Sequence, residues 1–278
     1  MSSSPPASRR LVGVSTKMYF SFAQTTTYVC KLLSLLSDLP PETIANLKNT
    51  DIFIIPDHIS LTSVISQLRT DGNNISNPNP IPILAGAQDA FHEDTGAFTG
   101  EVSPSVLAEV GCRILELGHA ERRRLFAETD ETTAKKAAAA SRNGIVPLVC
   151  IGERTKPKTP DQEIPDISAA LAEIRPQVWA VLDAVPPTAD VILAYEPIWA
   201  IGASAPASAP YVVAVARAIR DLECVSRRPA GSTRILYGGS AGPGLFEKIK
   251  EGVDGLFLGR FAHDPEQFVK TILEVVSA

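Results

Sequence analysis

Eight short runs of apolar, largely β-branched residues recur along the chain, each followed by a longer stretch of helical character. The runs are Leu11–Val14, Asp51–Pro56, Ile83–Ala87, Arg113–Leu117, Val146–Ile151, Val191–Tyr195, Arg234–Tyr237 and Gly255–Leu258. None shows the inside–outside alternation of a sheet wetted on one face, so each is expected to be a strand covered on both sides. Between them, Phe22–Leu36 carries Val29, Leu32, Leu33 and Leu36 at helical spacing. Thr129–Ser141 begins with Asp130 and Glu131 and stops at Asn143-Gly144. Acid at the start and glycine after the end suit the helix dipole and a left-handed cap. Tyr211–Leu222 follows an Ala/Ser/Pro loop. Near the end, Asp264-Pro-Glu-Gln267 supplies a capping residue, a first-turn proline and Gln three positions after the cap, for a helix over Pro265–Val276.

Strands alternating with helices in this way predict an α/β fold, a single-domain (β/α)8 barrel over residues 9–278. A doubly wound open sheet is the rival topology. Residues 1–8 are expected to be a disordered tail, and Thr70–Pro82 and Arg154–Asp166 to be expanded loops. A chain of 278 residues buries enough surface to need no metal or disulfide staple. Twenty-six Lys and Arg against 31 Asp and Glu leave a formal charge of -5. No overall positive field would draw nucleic acid or an anionic membrane. Cys30, Cys112, Cys150 and Cys224 are far apart with no CxxC pair, which argues against a zinc ribbon or a disulfide framework. The start has no secretory apolar stretch, and no long apolar run follows, so a cytoplasmic protein is expected.

In a barrel of this type the chemistry sits at the C-terminal ends of the strands. Those ends present Lys17, then Gln88 and Asp89, then His119 and Glu121, then Cys150 and Glu153, then Glu196. Gly238-Gly239-Ser240 and Gly259-Arg260 follow the last two strands. Taken singly, each has an ordinary explanation: an ion-paired Glu, a core His, a solvated Lys, a tight glycine turn, an ion-paired helix start at Glu121–Arg124. Cys150 is read as buried packing, and His58, His92 and His263 receive no role. Together, a base, an imidazole and an ammonium converge on one rim beside two glycine turns suited to a small anion.

These residues lie in segments that resemble the triosephosphate isomerase family. The segments are Lys17-Met18, Ala87-Gln88-Asp89, Gly96–Pro104, Leu117-Gly-His-Ala-Glu-Arg-Arg123, Cys150-Ile-Gly-Glu153, Ala194–Gly202, Tyr237-Gly-Gly-Ser240 and Val253-Asp-Gly255. They follow the family's order from about residue 11 to 276. The resemblance implies a TIM barrel that interconverts an aldose phosphate and its ketose through an enediol. Glu196 would carry the proton, neutral His119 would polarise the carbonyl, and Lys17 would supply fixed positive charge, a logic for which this family is itself the worked case. Backbone N–H groups of Gly202, Ser240, Gly259 and Arg260 would hold the phosphate, and Pro197–Ala207 would close as a lid, with Glu196 its only adjoining carboxylate. Glu121 would orient Lys17. Thr99 matches the loop that in the family reaches a neighbouring subunit, which implies a homodimer. No metal and no organic cofactor is implied; the only other partner is the phosphorylated sugar.

The chain departs from the family's pattern around the substrate. Ser15 stands in place of the usual Asn, losing an amide while its hydroxyl keeps a proton to donate. Thr16 replaces Trp, and Ala120 replaces Ser. Ala203-Ser-Ala-Pro-Ala207 replaces the second half of the lid, where Pro206 restricts the motion. Gly259-Arg260 replaces a Gly-Gly pair. A triose phosphate, with a place in glycolysis and gluconeogenesis, is the first substrate expected. Ser15 and Gly259-Arg260 also resemble a branch acting on erythrulose phosphates, which makes a tetrulose phosphate the alternative. A non-catalytic paralogue that binds a phosphorylated metabolite is a third reading.

Overall fold

The computed structural model describes residues 9–72, 81–158, 165–203 and 206–278. Eight parallel strands form a closed barrel in sequence order: β1 (Arg10–Ser15), β2 (Thr50–Ile55), β3 (Ile83–Gln88), β4 (Ile114–Leu117), β5 (Val146–Ile151), β6 (Val191–Tyr195), β7 (Thr233–Tyr237) and β8 (Gly255–Leu258). Every predicted run is a strand, and closure of β8 onto β1 excludes the open sheet.

Closure divides the inward and outward side chains into two apolar clusters. Leu11, Phe53, Ile114, Leu148, Ile192, Leu236 and Phe257 fill the barrel. Val12, Ile52, Leu115, Val149, Leu193 and Ile235 pack outward with the helices. At Gly13 a Cβ would stand 2.1 Å from the Phe53 ring, so glycine makes room for the Phe53–Phe257 stack across the interior.

The four predicted helices form as Phe22–Ser37, Asp130–Arg142, Ala209–Arg220 and Pro265–Ser277. Thr129 caps the second through a reciprocal bond with Thr132, and Asp264 caps the last by accepting from the Glu266 N–H. The first expected loop is shorter than predicted at its start, because the helix Leu61–Gly72 runs through Thr70. Its remainder at 73–80, residues 159–164 of the second loop, the tail 1–8 and lid positions 204–205 lie outside the described residues. No helix among the described residues is long and apolar enough to cross a membrane.

Two strands run one residue beyond their apolar sequence run, β1 to Ser15 and β3 to Gln88. The cause is the mouth of the barrel, where inward positions become polar while the backbone ladder continues.

Candidate active site

Lys17 follows the end of β1 in a left-handed backbone conformation, φ 49°. Few residues other than glycine adopt it, and strain of this kind persists only where the surroundings fix it. Here the Gln88 amide donates to the Lys17 carbonyl at 3.0 Å and holds the turn. The ammonium lies 2.8 Å from Glu121 Oε1. Burial works against its charge, but Glu121, with Glu196 and Glu116 nearby, outweighs burial and keeps its pKa above the usual lysine value.

His119 caps the short helix Ala120–Leu125, its Nδ1 accepting from the Glu121 N–H at 3.2 Å. A ring nitrogen that accepts carries no proton, so the proton of the neutral ring sits on Nε2. Burial, then the charge of Lys17, lowers the imidazole pKa to about 4, leaving His119 neutral at ordinary pH. Nε2 lies 3.5 Å from Glu196 Oε2.

Glu196 directly follows β6, its N–H bonded to the Ile151 carbonyl at 2.8 Å. Its side chain is buried, and Oε2 has no hydrogen-bond partner. Burial, with Glu116 and Glu121 adding negative charge, raises its pKa to about 8 against the pull of Lys17. Glycine is required on both flanks: a Cβ at Gly238 would stand 2.5 Å from Glu196 Oε1, and one at Gly152 would stand 1.9 Å from its carbonyl oxygen. A cavity of about 240 Å³ reaches Glu196 from the side of Arg123, Asp130, Glu173 and Gln177, away from Lys17 and His119, which do not line it.

Below this trio, the Ser15 hydroxyl donates to Glu116 Oε2 at 2.8 Å. The proton expected to face substrate is therefore committed to a buried carboxylate. Glu116 had no role assigned from sequence, because it sits inside the apolar run Ile-Leu-Glu-Leu and its partner is distant in the chain. His263 also gains a contact, its Nε2 lying 3.1 Å from the Ser15 carbonyl while its ring packs on Phe20. Cys150 is buried, and burial raises its thiol pKa well above the ordinary range, as packing rather than nucleophilic chemistry requires.

The segment expected to close as a lid is tied on either side of its undescribed residues 204–205. Glu153 Oε1 accepts from Trp199 Nε1 at 2.8 Å and from the Tyr211 hydroxyl at 3.0 Å. The Glu153 carbonyl also accepts from the Ile198 N–H. Glu196 is thus not the only carboxylate beside the lid. At the far end the Ala207 N–H donates to the Tyr237 hydroxyl at 3.1 Å. The Ser240 hydroxyl lies within hydrogen-bond reach of the carbonyls of Ala200 and Ala203, between which its one proton is shared. Gly202 sits in the left-handed region at φ 74°, and the Arg260 guanidinium reaches within 3.7 Å of where its Cβ would be. Gly259 and Arg260 open the turn Arg260–His263 after β8.

The barrel thus gathers Lys17, His119, Glu121 and Glu196 at one mouth, with Ser15 below and Gly202 against Arg260. Arg122 and Arg123 pair outside their own helix start, with Asp89 and Glu128 and with Asp130. Thr99 stays apart, exposed on the loop after β3 beside the part-exposed Phe98. Among the described residues no cluster of His, Cys, Asp and Glu could hold a metal ion.

The chain is 42% identical over 266 residues to an L-erythrulose-1-phosphate isomerase of Pectobacterium atrosepticum, covering 94% of each chain. A protein of the same name from Rhizobium etli is 41% identical over 96% of this chain and 92% of its own. A triosephosphate isomerase of Aquifex aeolicus is 34% identical over 95% of this chain and 98% of its own. The family model described as triosephosphate isomerase matches residues 10–275, and the chain belongs to that family.

Proposed function

We propose that the protein is an isomerase that moves a carbonyl between adjacent carbons of a small sugar phosphate, with L-erythrulose 1-phosphate as its substrate. The observation that carries the chemistry is the meeting of Glu196, the Nε2 face of His119 and the Lys17 ammonium at one buried mouth. Glu196, once ionised, removes the proton from the carbon beside the carbonyl. His119 donates its Nε2–H to the carbonyl oxygen as negative charge develops there, and Lys17 stabilises that charge. The protonated Glu196 then returns the proton to the carbon that was the carbonyl, while the neighbouring hydroxyl gives up its proton and the former carbonyl oxygen gains one, relayed between the two oxygens by His119, so that the carbonyl stands one carbon along. A placed base contributes about 10²–10⁴-fold in rate, and an oxyanion donor about 10²–10³. Backbone N–H groups at Gly202, Ser240, Gly259 and Arg260 would hold the phosphate, and the lid would exclude water while the enediolate exists.

The four-carbon substrate is supported by the two relatives of that name at 42% and 41% identity. The triose reading stands second, favoured by the intact trio and by the 34% identical relative. Both substrates are to be assayed with purified protein. Turnover of L-erythrulose 1-phosphate at higher kcat/KM than glyceraldehyde 3-phosphate is expected, and the reverse order would select the triose reading. Glu196→Gln should lose at least about 10²-fold in kcat while still binding a phosphorylated enediolate mimic. Binding of phosphorylated ligands without turnover of either substrate would leave only a non-catalytic role.

A homodimer is part of the proposal. Met18, Tyr19, Ile59 and Phe98 are exposed on the loops after β1, β2 and β3, beside Thr99, and such apolar loops suit a subunit contact. A cytoplasmic setting is supported by four cysteines that remain free thiols.

A further inference from the structure

The floor of the mouth holds a carboxyl group with no part in proton transfer. Glu116 points inward from β4 and meets Ser15 of β1 at 2.8 Å. In the ring these strands are separated by β2 and β3, so the bond spans the barrel interior. Ser15 lies two residues before Lys17, and Glu116 three before His119, so the pair underlies the groups that would face the reacting oxygens. Both side chains are buried, as His119 and Glu196 are.

A hydroxyl has one proton to give and two lone pairs. With that proton held by Glu116, Ser15 has only its lone pairs left to offer a substrate, as an acceptor. An amide at this position offers N–H donors, which suit a carbonyl or enediolate oxygen. An acceptor suits a hydroxyl instead. A four-carbon ketose phosphate has a hydroxymethyl group beside its reacting carbons where a triose phosphate has hydrogen.

We propose that Glu116 is a positioning residue for substrate choice: it fixes the Ser15 hydroxyl as an acceptor for the terminal hydroxyl of a four-carbon sugar phosphate. This rests on the isomerase reading above and assigns its specificity to a particular pair. Burial raises the Glu116 pKa to about 7, opposed by Ser15 and Lys17 and reinforced by Glu121 and Asp89. The carboxylate form that accepts from Ser15 therefore prevails at pH 8, where the test is set.

The readout is the ratio of kcat/KM for L-erythrulose 1-phosphate to that for dihydroxyacetone phosphate. Glu116→Leu and Ser15→Ala should each lower it about tenfold, the worth of one hydrogen bond, through KM for the four-carbon sugar. Because the two side chains act as one unit, the double variant should fall no further than either single variant. Ser15→Asn, which puts donors in place of the acceptor, should lower the ratio too and keeps the test open if Glu116→Leu does not fold. A ratio unchanged in the folded single variants, or losses that multiply in the double variant, overturns the proposal while leaving the isomerase reading intact. Wild-type protein that does not turn over L-erythrulose 1-phosphate overturns both the four-carbon reading and this one.

Discussion

Residues at the mouth of the barrel acquire their chemistry from burial and from one another. Glu196 is a base only when ionised, and burial raises its pKa to about 8. The ionised fraction, and with it kcat/KM, should therefore fall as pH drops through about 8. An acid limb near the ordinary carboxylate value, about 4.3, would contradict this environment. His119 behaves in the opposite sense: burial and Lys17 disfavour its cation and bring its pKa to about 4. Its ring should keep the NMR signature of a neutral imidazole, protonated on Nε2, between about pH 5.5 and 8, whereas an unperturbed imidazole takes up a proton near about 6.5. The residues of this trio were legible in the sequence because each follows a recognisable strand. Glu116 was not, because a lone acid in an apolar run gives no local sign of a partner 101 residues away. The polarity of the Ser15 hydroxyl was misjudged for the same reason, since the direction of a hydrogen bond depends on a neighbour that only the closed ring supplies.

Among the elements, the strands were easier to read than their ends. Apolar runs mark where both faces are covered, but Ser15 and Gln88 continue the ladder into a polar mouth, and hydrophobicity alone stops short of them. Helix starts with caps, such as Thr129 and Asp264, were legible because the signal lies within one turn. The anchoring of the lid was not: Glu153 comes from the loop after β5, while Trp199 and Tyr211 follow β6. Glu153→Ala would leave the buried Tyr211 and half-buried Trp199 donors without an acceptor and should lower unfolding stability by about 2 kcal/mol in urea titrations, together with a lower kcat. Glu153→Gln retains the accepting oxygen and should stay within about 1 kcal/mol of wild type. Equal stability of Glu153→Ala and wild type would show that this anchor contributes nothing.

For the whole molecule, the loops after β1, β2 and β3 put Met18, Tyr19, Ile59 and Phe98 at the same end of the barrel as Lys17, His119 and Glu196. Sedimentation equilibrium at micromolar concentration should give twice the chain mass, and Thr99→Arg should shift it toward the monomer; a wild-type monomer would refute the dimer. The ring itself is completed by β8 lying against β1, with Leu11 opposite Gly255. A Cβ at Gly255 would fall 1.7 Å from the Leu11 carbonyl oxygen, so the seam admits no larger residue there. The first strand made during synthesis consequently waits for the last one before its open edge is covered. Lys17, His119 and Glu196 all precede β8 in the chain, so the ring that carries them can close only after that strand has been made.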